Sequence, residues 1–169
     1  MKRLEGKVCI VTGGSRGIGE AIVRRLAADG AVVYATFNSG ADQAEAISSE
    51  LTALGHDVSF IQTNVANEDS VKALIETVLT RSSRIDAVVN NAGVTKDNLL
   101  MRMSEADWDF VIDTNLKSVF FMTKHSMRPM MSQRSGRIVN ISSVVGITGN
   151  AGQANYVASK AGLIGMSKS

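Results

Sequence analysis

Short apolar, β-branched runs alternate along the chain with longer stretches whose apolar positions recur every three to four residues. The short runs lie at 8–11, 31–36, 58–62, 85–89 and 137–141, and each predicts a strand. The longer stretches predict helices over about 18–29, 41–54 and 68–81, a long one over about 104–131, and a last one from about 154 to the end. In the third, Leu74, Ile75, Val78 and Leu79 share a face, while Glu76 and Arg81 fall elsewhere. Gly30 and Gly55 follow two of these helices, where a left-handed C-terminal residue is favoured. Regular β-α alternation predicts an α/β fold: a doubly wound parallel sheet with right-handed crossovers and helices on both faces. Most strands are nearly continuous apolar runs, as doubly covered strands should be; 58–62 is more polar and is expected at an edge.

Composition narrows this picture. A length of 169 residues predicts one domain, 1–169, and 44% hydrophobic with 20% charged residues is ordinary for a soluble globular chain. The charge of +2 is spread without any run of Lys and Arg, so neither nucleic acid nor a membrane surface is an expected partner. The only cysteine, Cys9, sits inside Val8-Cys9-Ile10-Val11 and reads as a small buried strand residue. With one thiol and no secretory or bilayer-spanning stretch, the expected compartment is the cytoplasm. No metal site is expected.

Polar and small residues gather just beyond each strand: Thr12 to Gly19, Phe37-Asn38-Ser39, Asn64-Val65, Asn90-Asn91-Ala92-Gly93 and Ser142-Ser143. In open α/β sheets ligands bind along that carboxyl edge, near the switch point. Gly13, Gly17 and Gly19 follow the first strand and open a helix. Gly13 suits a sharp turn, Gly17 lets backbone N–H groups approach a pyrophosphate, and Gly19 lets the helix pack closely on the sheet. The helix N-terminus adds N–H donors and a positive dipole end. A glycine turn alone can be only a tight connection; between this strand and this helix it predicts a dinucleotide site. NAD sites usually place an acid at the end of the second strand, about 20 positions on, to hold the ribose 2′-OH. Tyr34-Ala35-Thr36-Phe37-Asn38 has none, and Arg16 is available to pair with a 2′-phosphate, so NADP(H) is the expected cofactor.

Tyr156 and Lys160, four apart on the last helix, share a face. A free tyrosine titrates at about 10, and a nearby ammonium favours its phenolate, fitting it to hand a proton to an alkoxide formed by hydride attack on a carbonyl. Such a pair alone also occurs on solvated helices. Ser143, at the exit of the fifth strand, is placed to hold a carbonyl oxygen.

Thr12-Gly13-x-x-x-Gly17-x-Gly19, Asn90-Asn91-Ala92-Gly93, Asn115, Ser143 and Tyr156-x-x-x-Lys160, in this order, resemble the classical short-chain dehydrogenases/reductases. Within that family, the runs 91–103 and 149–156 resemble 3-oxoacyl-[acyl-carrier-protein] reductases. The resemblance implies a Rossmann-like sheet in the order 3-2-1-4-5. It makes Tyr156 the proton donor and a contact of both substrate and cofactor, and Lys160 its tuner and a ligand of the nicotinamide ribose; Ser143 would orient the substrate carbonyl and Asn115 would hold a relay water. Gly13, Ser15, Arg16, Gly17, Ile18, Gly19 and Asn38 would meet the phosphates and 2′ end. Asn64 and Val65 would meet the adenine, and Asn91, Ala92 and Gly93 the ribose side.

The implied reaction is NADPH-dependent reduction of a 3-oxoacyl thioester in fatty-acid synthesis, with an acyl-carrier-protein-linked substrate and a homotetramer built through the helices at 104–131 and 154–169. Another small ketone or an acyl-CoA is the alternative substrate. Asn115 has the alternative of bonding only backbone. Met122, Met127, Met130 and Met131 read as core or subunit contact, and Pro129 as a kink or end of its helix. Arg128, Arg134 and Arg137 read as a solvated helix end or a contact for an acidic carrier. Family members continue past Ser169 with a sixth strand, a substrate-covering segment and a seventh strand. The resemblance therefore implies a chain lacking the last elements of the family fold, with 138–141 as an exposed apolar edge. A carbonyl reductase and a non-catalytic nucleotide-binding fragment both remain as readings.

Overall fold

The structure, a computed structural model, describes residues 2–169. It contains β1 (Val8–Val11), α1 (Gly17–Ala28), β2 (Val32–Phe37), α2 (Ala41–Ala53), β3 (Val58–Gln62), α3 (Glu68–Ser82) and β4 (Ala87–Asn90). A 3-10 turn at Leu100–Arg102, α4 (Glu105–Ile112), a π turn at Asp113–Lys117, α5 (Ser118–Gln133), β5 (Arg137–Asn140), α6 (Val145–Thr148) and α7 (Ala154–Met166) follow. The strands form one parallel sheet in the order β3-β2-β1-β4-β5. As expected, β3 is an edge.

The alternation of side chains along β1 explains its unbroken apolar run. Val8 and Ile10 join Val71, Leu74, Val78, Val88 and Met122 on one side of the sheet, beneath α3 and α5. Cys9 and Val11 join Val23, Ala27, Val33, Ile47 and Leu51 on the other, beneath α1 and α2. Each face of this strand buries its own row, so both parities must be apolar. Burial and the nearby Asp86 carboxylate push the Cys9 thiol up to about 11, leaving it a protonated core residue. β5 departs from this pattern: it lies at the other edge with Val139 exposed, so the apolar edge anticipated at 138–141 is present.

The helix expected over 104–131 is interrupted. Ser104 caps α4 by accepting from the Asp107 N–H, and α4 ends at Ile112. The π turn follows, and α5 continues the path from Ser118. Buried Asn115 sits inside the turn, its side chain committed to partners on other elements. Pro129 neither ends nor shortens α5, which runs on to Gln133 and stops at Arg134 in the left-handed region, φ 53°. The methionines divide: Met122 and Met130 are core, whereas Met127 and Met131 are exposed.

The helix α6 has no counterpart among the expected elements, because Val144-Val145-Gly146-Ile147-Thr148 reads as β-branched. It lies close to α7. A Cβ on Gly146 would stand 2.9 Å from the Lys160 carbonyl carbon, so the two backbones nearly touch there.

Candidate functional site

The carboxyl ends of β1, β2 and β4 are laced together by two threonines and an asparagine. Thr12 Oγ1 accepts from the N–H groups of Asn91 and Ala92, each at 3.0 Å. Thr36 Oγ1 accepts from Gly13 N–H at 3.1 Å. Both threonines are buried, so these bonds form away from competing water. Asn91 Nδ2 donates to the carbonyls of Thr12 (3.1 Å) and Gly13 (3.0 Å), which uses both of its amide protons on the turn itself.

Around this lacing the glycines have separable duties. Gly13 turns off β1 at φ +65°. Gly19 has no room for a side chain: a Cβ would overlap the Gly13 carbonyl oxygen and stand 2.5 Å from Asn91 Nδ2. The close packing expected of Gly19 on the sheet is instead against the turn, and it draws the start of α1 directly under the loop. Gly14, a variable position in the motif, is also confined, with a Cβ 2.7 Å from Ala35 Cβ. Arg16 is the N-cap of α1 and makes no side-chain cap bond, so no capping side chain takes up the first N–H groups of the helix.

These loops border a cavity of about 620 Å³. Gly13, Ser15, Arg16, Ile18 and Gly19 line it from the first loop, Asn38 from the second, and Asn64 and Val65 from the third. Asn91, Ala92, Gly93 and Val94 line it beyond β4. Phe110, Asp113 and Thr114 add a wall that the sequence reading did not assign. Gly17 opens α1 at φ +56° without lining the cavity.

The four residues expected to do chemistry lie beside this cavity rather than on its wall, and Asn115 joins the two regions. Its Oδ1 accepts from Val94 N–H (2.7 Å), while its Nδ2 donates to the Val94 carbonyl (2.9 Å) and to Ser159 Oγ (3.2 Å). The alternative of backbone bonding within its own helix is not what the structure has: the Asn115 side chain reaches the loop after β4 and the Ser159 hydroxyl. Lys160 is 5% exposed; its Nζ donates to the Ile141 carbonyl at 2.7 Å and stands 5.7 Å from the Tyr156 ring centre. Burial pushes the pKa of its ammonium below the ordinary lysine value. Ser142 Oγ donates to the Lys160 carbonyl, and Ser143 Oγ accepts from Val145 N–H at 3.4 Å, so the exit of β5 abuts α7. Asn155 and Ser159 also belong to this region. Neither is marked in the sequence, because Asn155 lies inside α7, one residue past its start, and not at the N-cap, which is Gln153.

Among the described residues no helix is long and apolar enough to cross a membrane, and no group of three or more His, Cys, Asp or Glu side chains could hold a metal.

The family described as short chain dehydrogenase matches residues 7–169. The 3-oxoacyl-[acyl-carrier-protein] reductase FabG of Staphylococcus aureus (strain N315) is 53% identical over 163 residues, covering 96% of this chain and 66% of that protein. That of Escherichia coli (strain K12) is 52% identical over 165 residues, covering 98% and 66%. The 3-oxoacyl-[acyl-carrier-protein] reductase of Synechocystis is 50% identical over 168 residues, covering 99% and 68%. A crystal structure of a metagenomic short-chain oxidoreductase in complex with NADP superposes with a TM-score of 0.93 at 37% identity, over 97% of this chain and 74% of that one. The chain thus spans about two thirds of the length of these curated relatives.

Proposed function

The chain belongs to the short chain dehydrogenase family, and on that premise we propose that it serves the NADPH-dependent reduction of a 3-oxoacyl thioester, carried on acyl carrier protein, to the 3-hydroxyacyl thioester. The observation that carries this reading is the Tyr156–Lys160 pair, seated on α7 and tied through Asn115 and Val94 to the cavity of the glycine turn. The three relatives described above are named for that reaction.

The cavity fits NADP(H). It has the volume of a small-molecule site, it borders the N-terminus of α1, and its lining includes Arg16 and Asn38 but no carboxylate from β2. The neighbour in complex with NADP supports the same choice. In this reading Gly13, Ser15, Arg16, Gly17, Ile18 and Gly19 take the phosphates, with Arg16 and Asn38 at the 2′ end. Asn64 and Val65 take the adenine. Asn91, Ala92 and Gly93 form the ribose side, Asn91 chiefly by holding the turn in shape.

When bound, NADPH supplies the hydride. The phenol of Tyr156 gives its proton to the carbonyl oxygen as that oxygen gains charge. Lys160, partly desolvated, presents a positive charge beside the ring and stabilises the phenolate left behind. Ser143 holds the carbonyl oxygen by its hydroxyl. Both amide protons of Asn115 are already used, so its part in a proton relay runs through its backbone in the π turn.

Residues 1–169 are read as one NADP-binding domain, and the buried free thiol of Cys9 suits the reducing cytoplasm. A homo-oligomer is proposed through α5 and α7, where Phe120, Met127, Met131 and Met166 line an apolar groove. Size-exclusion chromatography should give a mass above the monomer, and a monomer at assay concentrations removes this part of the reading.

The test of the reaction is loss of NADPH absorbance with acetoacetyl-CoA and with a 3-oxoacyl-carrier-protein substrate. Tyr156→Phe is expected to lose about 10²- to 10⁴-fold in kcat while still binding NADPH. If the parent chain binds NADPH but turns over neither thioester, catalysis is removed from the reading and nucleotide binding is left.

A further inference from the structure

Tyr156 is held by side chains at both of its backbone polar groups. Its N–H lies in the first turn of α7, where no carbonyl within the helix can accept it, and the N-cap residue Gln153 makes no side-chain cap bond. Asn155 Oδ1 accepts that N–H at 2.8 Å. The same amide donates to the carbonyls of Lys96 (3.0 Å) and Asp107 (3.2 Å). On the other side, Ser159 Oγ donates to the Tyr156 carbonyl at 2.7 Å and accepts from Asn115 Nδ2; the Asn115 amide in turn clasps Val94, Nδ2 donating to its carbonyl and Oδ1 accepting from its N–H. Asn155 and Ser159 are both 0% exposed.

The two arms end on alternate residues of one segment: Lys96 through Asn155, and Val94 through Ser159 and Asn115. Val94 lines the cofactor cavity. Lys160 is anchored elsewhere, on the Ile141 carbonyl beyond β5. α7 sets the Tyr156–Lys160 spacing, and independent ties beyond β4 and β5 fix where the pair sits at the sheet edge. A residue needed only to start a helix would not require a buried amide with three partners, since alanine forms helix better. A buried polar network whose members are all bonded fixes one arrangement among several of similar packing.

We infer that Asn155 and Ser159 are positioning residues that set the phenol of Tyr156 against segment 94–96 at the cavity wall. The inference rests on the reading of Tyr156 as proton donor, and its test separates the two. Asn155→Ala removes all three bonds. Asn155→Asp keeps an acceptor for Tyr156 N–H but turns a carboxylate towards two carbonyls, breaking only the ties to Lys96 and Asp107. Ser159→Ala removes the second arm, and Ser159→Thr keeps its hydroxyl.

Both Asn155 variants and Ser159→Ala should lower kcat about 10- to 100-fold, as small misplacements of reacting groups do, with KM for NADPH within about twofold of the parent. Ser159→Thr should recover most of the loss. In the ligand-free chain, both Asn155 variants should speed hydrogen exchange in peptides covering 94–98 as well as 154–158. Parental kcat in the Asn155 variants overturns the inference, as does faster exchange confined to 154–158. If Asn155→Ala does not fold, Asn155→Asp and Ser159→Ala carry the test. If the parent chain binds NADPH without turnover, the proton-donor reading falls, and the exchange pattern alone decides whether the two arms reach segment 94–96.

Discussion

In the proposed reading Arg16 is the single side chain that decides between two cofactors. It is exposed at the N-cap of α1, on the wall of the cavity, and the end of β2 offers Asn38 where an acid would repel a phosphate. A hydrogen bond to a charged group contributes about 1.5–3 kcal/mol, so Arg16→Ala should weaken NADPH binding roughly tenfold to a hundredfold and leave NADH almost unchanged. Titration of both cofactors by fluorescence checks this, and equal weakening of the two would mean that Arg16 serves the phosphates in general. Arg16, Tyr156 and Lys160 were legible in the sequence because each is a distinctive chemical group at a fixed spacing from a motif. Thr12, Thr36 and Asn155 were not. Their duties depend on partners brought near only by folding: Thr12 holds the N–H of residues 79 and 80 positions away, and Asn155 reaches 59 positions back to Lys96. A threonine or asparagine carries no mark of such a partner.

At the scale of elements, periodicity located all five strands to within two residues at either end, because doubly covered strands must be apolar on both parities. It also ran α4, the π turn and α5 together, since Asp113–Lys117 keeps the apolar spacing of a continuous helix and only the contacts of Asn115 reveal the extra residue. The entry to β1 and β4 depends on a feature that periodicity cannot show. Asp86 is buried, and it accepts from Val8 N–H, Arg84 and Lys7. Burial alone would raise its pKa, but the bonds from Arg84, Val8 and Lys7 outweigh burial and hold it below the usual carboxylate value. A carboxyl depressed in the folded state stabilises at any pH above its unfolded value, about 3.9, and this contribution fades as pH falls through the folded value. Urea midpoints should therefore be level with respect to this group near neutrality and fall below about pH 4. Asp86→Asn should lower the midpoint at neutral pH and flatten the acid limb. An acid limb parallel to the parent's would show that other carboxylates control it.

The sheet order divides the molecule at the switch between β1 and β4. The chain winds outward through β2 and β3 on one side, then returns to build β4 and β5 on the other. Loops from β1, β2, β3 and β4 line the cavity, whereas Ser143, Tyr156 and Lys160 come from β5 and α7. In the proposed reading, holding the dinucleotide and moving the proton fall to different parts of one sheet edge, and the Asn115 side chain bonds to both regions. Binding should consequently stabilise the fold whether or not chemistry occurs. A ligand at 100 times its Kd stabilises the folded state by about 2.7 kcal/mol, which for a chain of this size raises Tm by roughly 5–10 °C. NADPH should produce that rise in the parent and in Tyr156→Phe alike, while Arg16→Ala should lose most of it and NADH should give less at equal concentration. A rise that vanishes in Tyr156→Phe would place the tyrosine among the groups that hold the cofactor. No rise with NADPH at millimolar concentration would remove the dinucleotide from the cavity. Retention of the rise after the proton donor is gone is what a binding half and a chemical half, joined but separable, require.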